Sequence, residues 1–259
     1  MNATEANGWL AIAGLGPGDE ALVTPEVRAA LASATDIVGY TSYVARITPC
    51  EGVSLHASGN RVELERAVLA LDLAAGGRKV VVVSSGDPGV FAMAAAVFEA
   101  LEQDKGEKWR DIDIAVLPGI TAMLAASARA GAPLGHDFCT INLSDNLKPW
   151  PVIERRVRLA VEADFAIAFY NPRSRSRPEG FARTLTLLKQ TCGEDRPILF
   201  ARAVSTPDEQ LRIVTLGQAA PNMADMRSLV IVGSSRTRII TRPKGTILYT
   251  PRSTPGALP

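Results

Sequence analysis

The sharpest pattern along the chain is the run at 80–98, VVVVSSGDPGVFAMAAAVF. Four consecutive valines carry no polar alternation, which suits a β-branched strand covered on both faces. Ser84, Ser85, Gly86, Asp87, Pro88 and Gly89 then turn the chain, and from Val90 on Ala, Met, Val and Phe read as a packed helix. The same step from apolar strand to glycine turn recurs at 9–19 (WLAIAGLGPGD) and at 114–122 (IAVLPGITA). Open α/β sheets bind ligands at their carboxyl edge, so three such turns predict one ligand-binding edge. Read singly, each turn is equally a tight loop and no more.

The remaining pattern extends this reading. Strands at 9–14, 36–39, 80–84 and 112–117 alternate with helices at 25–34, 60–75, 89–103 and 120–130. Such alternation predicts a parallel sheet with right-handed crossovers. The run Ala130, Gly131, Ala132, Pro133, Leu134 and Gly135 breaks the pattern and reads as a linker. Beyond it come an extended stretch at 138–143, helices at 150–162 and 179–190, and strands at 164–170, 197–203, 210–215 and 228–232. The last strands have little helix between them, which predicts antiparallel pairs. The expected fold is therefore two α/β domains, 1–132 and 136–259, joined at about 130–136. The N-terminal sheet is mostly parallel and the C-terminal one mixed, with the active site expected in the cleft between them.

Composition narrows the function classes. The chain has 259 residues, 47% of them hydrophobic, and balances 28 Lys+Arg against 27 Asp+Glu. A formal net charge of +1 gives no global attraction to nucleic acid or membrane, so an anionic partner needs a local patch. Cys50, Cys139 and Cys192 are odd in number and far apart, unlike a disulfide framework. With His56 and His136 as the only histidines, no metal-ligand spacing appears and no metal is expected. The opening MNATEANGWL lacks a basic, then apolar, leader pattern, and no run approaches the roughly 20 apolar residues of a membrane span. A cytoplasmic protein is the expectation.

The turns also exclude a chemistry. In Gly14, Leu15, Gly16, Pro17, Gly18, Asp19, an acid stands where a dinucleotide fingerprint has its third glycine, and Pro17 removes a backbone donor. That disfavours a nicotinamide dehydrogenase. Asp87 and Pro88 likewise spoil a phosphate cradle. A nucleoside with an amino-acid tail fits better, and S-adenosyl-L-methionine is such a molecule. In the second half, Arg173, Arg175 and Arg177 alternate after FYNP. In an extended loop they would point to one side as a carboxylate clamp, with Arg155 and Arg156 nearby in sequence; the alternative is a solvated basic loop. The turn 143–150 (LSDNLKPW) either starts a helix or presents Ser144 and Asp145 to the cleft.

GLGPGD, SSGDPGVF and LPGITA, in this order, make the chain resemble the tetrapyrrole (corrin/porphyrin) methylases over roughly residues 8–250. VGYTSYV at 38–44, LSDNLKPWPVIERR at 143–156, ADFAIAFYNPRS at 163–174 and VIVGSSRTR at 230–238 look like the members that methylate precorrin-3B at carbon 17. A very similar anaerobic counterpart acts on a cobalt-factor. The resemblance implies a homodimer, S-adenosyl-L-methionine as donor, S-adenosyl-L-homocysteine as product, and methylation coupled to ring contraction toward precorrin-4 in aerobic cobalamin synthesis. Carried over residue by residue, it places Pro17, Gly86, Asp87, Pro88, Val90, Thr121, Ala122, Tyr170, Asn171, Ala201 and Ala203 at the cofactor. The chain departs from many relatives in having ARAVSTPDE at 201–209. Ring contraction calls for proton transfer, for which Asp19, Ser85, Ser144 and Asp145 are the candidates, followed by Tyr40. Turn capping is the competing role for Asp19 and Asp145. Arg173, Arg175 and Arg177 are the candidate contacts for substrate carboxylates. A non-catalytic tetrapyrrole-binding protein of the same fold is the alternative from a different class.

Overall fold

The structure is a computed structural model that describes residues 8–48, 50–104 and 106–254. Most of the opening segment read above for a leader, 1–7, lies outside the described residues. The chain divides into two compact units, Met1–Thr121 and Ala122–Pro259.

In the first unit, β1 (Trp9–Gly14), α1 (Pro25–Ser33), β2 (Asp36–Tyr40), α2 (Thr41–Val44) and β3 (Ser54–Ser58) come first. Then follow α3 (Glu63–Ala75), β4 (Lys79–Ser84), α4 (Met93–Gln103) and β5 (Asp113–Leu117). The strands form one sheet in the order β3-β2-β4-β1-β5, and every pairing in it is parallel. The valine run explains itself here. Val80 and Val82 pack with Leu10, Ile12 and Val38 against α3 and α4. Val81 and Val83 face the other way, with Ala11, Ala13 and Ile37, against Val27 of α1 and Val44 of α2. A central strand buried on both sides has no polar face to alternate with. The helix expected from residue 89 begins later, at Met93. Phe91 takes a φ of +54° and Ala92 is extended, and the Met93 N–H is held by Ser84 Oγ at 3.3 Å.

At the amino edge of this sheet Asp36 is 1% exposed. It receives Arg78 Nε at 2.7 Å and the Thr35 hydroxyl at 2.8 Å, and His56 Nε2 lies 2.8 Å from its other oxygen. Burial pushes its carboxyl up, but the hydrogen bonds from Arg78, His56 and Thr35 together outweigh burial and hold it below the ordinary carboxylate range.

The second unit holds α5 (Ala122–Ala130), β6 (Gly131–Ala132), β7 (Phe138–Asn142), α6 (Trp150–Glu162) and β8 (Ala166–Tyr170). After them come α7 (Glu179–Cys192), β9 (Pro197–Arg202), β10 (Gln210–Thr215), β11 (Ser228–Val232), β12 (Arg238–Arg242) and β13 (Gly245–Tyr249). The larger sheet runs β10-β9-β11-β8-β7 and is mixed: β7 and β8 are parallel, the other neighbours antiparallel. Ile167, Phe169, Ile198, Phe200, Val230 and Val232 pack on α6 and α7, while α5 lies against β11. A small sheet, β12-β13-β6, completes the unit. The segment expected as a linker at about 130–136 lies inside this unit, and its Gly131 and Ala132 pair with Leu248 and Tyr249. No described helix is long and apolar enough to cross a membrane, and no group of metal-binding side chains occurs among the described residues.

Candidate ligand-binding site

The glycine turns of the first unit converge. Parallel pairing puts the carboxyl ends of β4, β1 and β5 side by side, and each strand leaves the sheet through one of the turns. Gly16 N–H donates to Gly86 O at 3.2 Å and Gly86 N–H donates back to Gly16 O at 2.9 Å. The third turn joins through Asp87, whose Oδ2 accepts the Gly119 N–H at 3.1 Å while Oδ1 accepts the Gly89 N–H at 2.8 Å. The glycines are required by contact. A Cβ on Gly119 would sit 2.1 Å from Gly86 O, and one on Gly14 would sit 2.5 Å from the same oxygen. The turns therefore touch through bare backbone.

The candidates of this unit occupy that edge. Pro17 is half-buried beside the bridge, Ser85 and Val90 are half-buried, and Gly86 and Pro88 are buried. Thr121 is buried at the end of the PGITA turn. Asp19 is exposed and its Oδ1 accepts the Ala21 N–H at 2.8 Å, so its visible role is to cap a short 3-10 turn. The Asp87 carboxylate fastens the Gly89 and Gly119 amides, while the contact that the resemblance implies for this turn is largely through backbone. Residues that sequence reading missed stand next to these. Arg46 donates to the carbonyls of Leu15 at 2.6 Å, Gly18 at 3.2 Å and Gly16 at 3.3 Å, clamping the GLGPGD turn from behind. Nothing in VGYTSYVAR marks that arginine as a turn clamp.

The candidates of the second unit gather on one edge of its mixed sheet. The strands β7, β8 and β9 run in the same sense, so Asn142, Tyr170 and Arg202 end at that edge. Asn142 Oδ1 accepts the Ser144 N–H at 2.8 Å and Asn171 Nδ2 at 3.1 Å. The Tyr170 hydroxyl accepts the Met123 N–H at 3.1 Å, tying the start of α5, where Ala122 lies, to the end of β8. Asn171 and Ala203 both have left-handed φ, +50° and +49°. Two non-glycine residues in that region at one edge mark backbone held against its preference. Ala201 is buried within β9, 1% exposed, beneath that edge.

The arginine loop is shaped differently from the expectation. Ser174 and Arg177 exchange N–H···O bonds of 3.3 Å each, and the Ser174 and Ser176 hydroxyls lie 3.2 Å apart. Residues 174–177 thus form a closed turn, and an extended strand that aims three arginines to one side is not present. Arg175 is exposed. Arg177 lines a pocket of about 190 Å³ with Asp145, Trp150, Glu179 and Arg183. Asp145 is exposed at this pocket, and Ser144 is half-buried beside it in sequence. Arg173 differs from both: its Nε is buried and has no hydrogen-bond partner among the described residues. A buried cationic donor without an acceptor is costly, and a ligand carboxylate is the group that would satisfy it.

Comparison with known proteins identifies the surroundings of this chemistry. The model of the tetrapyrrole (corrin/porphyrin) methylases matches residues 10–220. A precorrin-3B C(17)-methyltransferase from Sinorhizobium sp is 49% identical, over 96% of this chain and 98% of that protein. A probable cobalt-factor III C(17)-methyltransferase from Salmonella typhimurium is 40% identical, over 94% of this chain and 98% of that protein. The crystal structure of the methyltransferase CobJ matches with a TM-score of 0.90 and 62% identity, covering 94% of this chain and 100% of that one.

Proposed function

We propose, from the premise that the chain belongs to the tetrapyrrole (corrin/porphyrin) methylases, that it methylates precorrin-3B at carbon 17. It is an enzyme, an S-adenosylmethionine-dependent C-methyltransferase. The observation that carries this reading is the joined glycine edge of β1, β4 and β5 in a chain 49% identical to a precorrin-3B C(17)-methyltransferase. That edge presents backbone and no phosphate cradle: Pro17 and Pro88 lack N–H groups, and Asp87 is anionic. Backbone carbonyls and amides suit the polar groups of adenosine and methionine and tolerate a sulfonium.

When bound, the cofactor supplies an electrophilic methyl group. Gly86, Asp87, Pro88, Val90 and Pro17 hold it from the first sheet in this reading. Thr121, Ala122, Tyr170, Asn171, Ala201 and Ala203 complete its contacts. The residues' main task is to align donor and ring carbon and to exclude water, a proximity effect worth roughly 7–11 kcal/mol at best. Arg173 takes a substrate carboxylate through its unpartnered Nε, with Arg177 and Arg175 as further contacts. Ring contraction toward precorrin-4 belongs to the same proposal. It needs a proton taken from the hydroxyl on the bridging carbon, for which Ser85, Ser144, Asp145 and Asp19 are the candidates, the Asp19 carboxylate also capping its own turn. A homodimer and a cytoplasmic location are part of this reading.

The test is incubation of the purified protein with S-adenosylmethionine and hydroxylated precorrin-3B, with mass and carbon NMR spectra of the pigment. A product one methyl heavier, substituted at carbon 17 and contracted, is the expected result. The Salmonella relative favours a second reading, in which the cobalt-containing substrate is the one turned over. Turnover of that substrate alone would select it. Binding of a tetrapyrrole without binding of S-adenosylhomocysteine would overturn both in favour of a non-catalytic binding protein.

A further inference from the structure

Arg66, on α3, is 4% exposed and forms no ion pair among the described residues; Glu63, on the same helix, is the carboxylate whose charge it feels. Its Nε donates to Ser58 Oγ at 2.9 Å, its Nη2 to Gly59 O at 2.6 Å and its Nη1 to Met93 Sδ at 3.3 Å. All three acceptors are uncharged. Among the described residues no carboxylate lies within ion-pair distance of it; Glu63, on the same helix, is turned to the Arg61 N–H at 3.3 Å. A guanidinium withdrawn from water without a counterion costs several kcal/mol. An anion arriving from outside would offset that cost.

The position of Arg66 says where. Ser58 ends β3 and pairs with Tyr40, which ends β2, and the Thr41 hydroxyl donates to Ser58 O at 3.1 Å. Tyr40 and Tyr43 meet edge to face with ring centroids 5.3 Å apart. Both rings are partly exposed, and neither hydroxyl has a hydrogen-bond partner among the described residues. Burial first, then Tyr40, pushes the Tyr43 phenol above its ordinary value, while Arg46 and Arg66 act against that rise. The Tyr43 phenol thus stands as a neutral donor in the field of two cations. Arg46 likewise donates to the carbonyls of Leu15, Gly16 and Gly18, with Tyr43 and then Glu20 as the groups that act on its charge.

We propose that the Tyr40 and Tyr43 hydroxyls, backed by the charges of Arg66 and Arg46, seat a carboxylate side chain of the tetrapyrrole at the carboxyl end of β2 and β3. The phenols donate to the anion directly and the arginines supply charge from behind, the buried Arg66 with little screening by water and the half-buried Arg46 with more. This seat lies in the first unit, apart from Arg173 in sequence and on a different sheet, and it rests on the reading of the substrate as a polycarboxylate tetrapyrrole.

The experiment measures binding of uroporphyrin III, with eight carboxylates, and coproporphyrin III, with four, by absorbance titration. Wild type is compared with Tyr40→Phe/Tyr43→Phe and with Arg66→Lys, and S-adenosylhomocysteine affinity and Tm are measured on each. The double phenylalanine variant is expected to lose about tenfold in uroporphyrin affinity. It should lose less for coproporphyrin, and its S-adenosylhomocysteine affinity and Tm should stay at the wild-type values. Arg66→Lys, which keeps the charge, should bind closer to wild type than the phenylalanine variant does. Uroporphyrin binding unchanged in the phenylalanine variant, or absent in wild type, overturns the seat. Absence of S-adenosylhomocysteine binding in wild type instead sinks the methyltransferase reading, and the porphyrin series still decides the seat.

Discussion

Two residues carry most of the electrostatic consequence. Asp36 is held ionised below the ordinary carboxylate range even though burial alone would raise it, because Arg78, His56 and Thr35 all bond to it. Its folded pKa is depressed, so the stability it contributes is present above about pH 4, the unfolded carboxylate value, and is lost as pH falls through the folded value. Asp36→Asn is expected to destabilise the protein by about 2 kcal/mol at pH 7 in urea unfolding. The loss relative to wild type should shrink below about pH 4, where wild type gives up the same interaction. Arg173 works in the opposite sense, since its Nε is unpartnered in the protein alone. Arg173→Met is expected to raise the substrate KM about tenfold or more while leaving S-adenosylhomocysteine affinity unchanged in calorimetry. An equal loss in both would make the residue a support of the fold. Arg175, exposed on the closed turn, should show at most a twofold change in KM under Arg175→Ala, the scale of an exposed charge contact.

At the scale of elements, the glycine turns act as one joint. A methyl group on Gly119 meets the Gly86 carbonyl oxygen at 2.1 Å; the Gly86 backbone is held by its paired bonds with Gly16, and the Gly119 N–H is held by Asp87 Oδ2. Gly119→Ala is therefore expected to cost about 1–3 kcal/mol by overpacking and to weaken S-adenosylhomocysteine binding about tenfold or more. Gly59→Ala, with nothing within 4 Å of the added carbon, serves as the control and should change stability by less than about 0.5 kcal/mol. These turns were legible in the sequence because each follows an unbroken apolar strand. The arginine turn was not. Alternate arginines imply a common direction only in extended chain, and the reciprocal bonds of Ser174 and Arg177 curl the segment instead. The hairpin of β12 and β13 was equally silent: all of Arg238–Arg242 is exposed, so no buried face imposes a period on it. The four residues of α2 are too few for a helical repeat to show.

For the molecule as a whole, both large sheets were readable in advance except the edge strand β3, which is mostly exposed and so shows no buried pattern; burial on both faces of β4, β8 and β9 writes directly into residue choice. What sequence alone left out was the set of contacts that join distant segments, such as Arg46 with Leu15 and Tyr170 with Met123. No local pattern encodes a partner some tens of residues away. A ligand that binds only the folded chain raises its stability, by about 2.7 kcal/mol at a hundred times its Kd. S-adenosylhomocysteine is expected to raise Tm in this way, whereas NADH at the same concentration should not, and a shift with NADH would revive the dehydrogenase class that Asp19 disfavours. The paired bonds between Gly16 and Gly86 have one further consequence. They extend ladder-like pairing past the strand ends, so the two amide protons should exchange with deuterated solvent on the slow timescale of β4 rather than that of surface loops. A guest arriving at such an edge finds it already ordered. The entropy of fixing these turns is settled when the chain folds, not when the nucleoside docks.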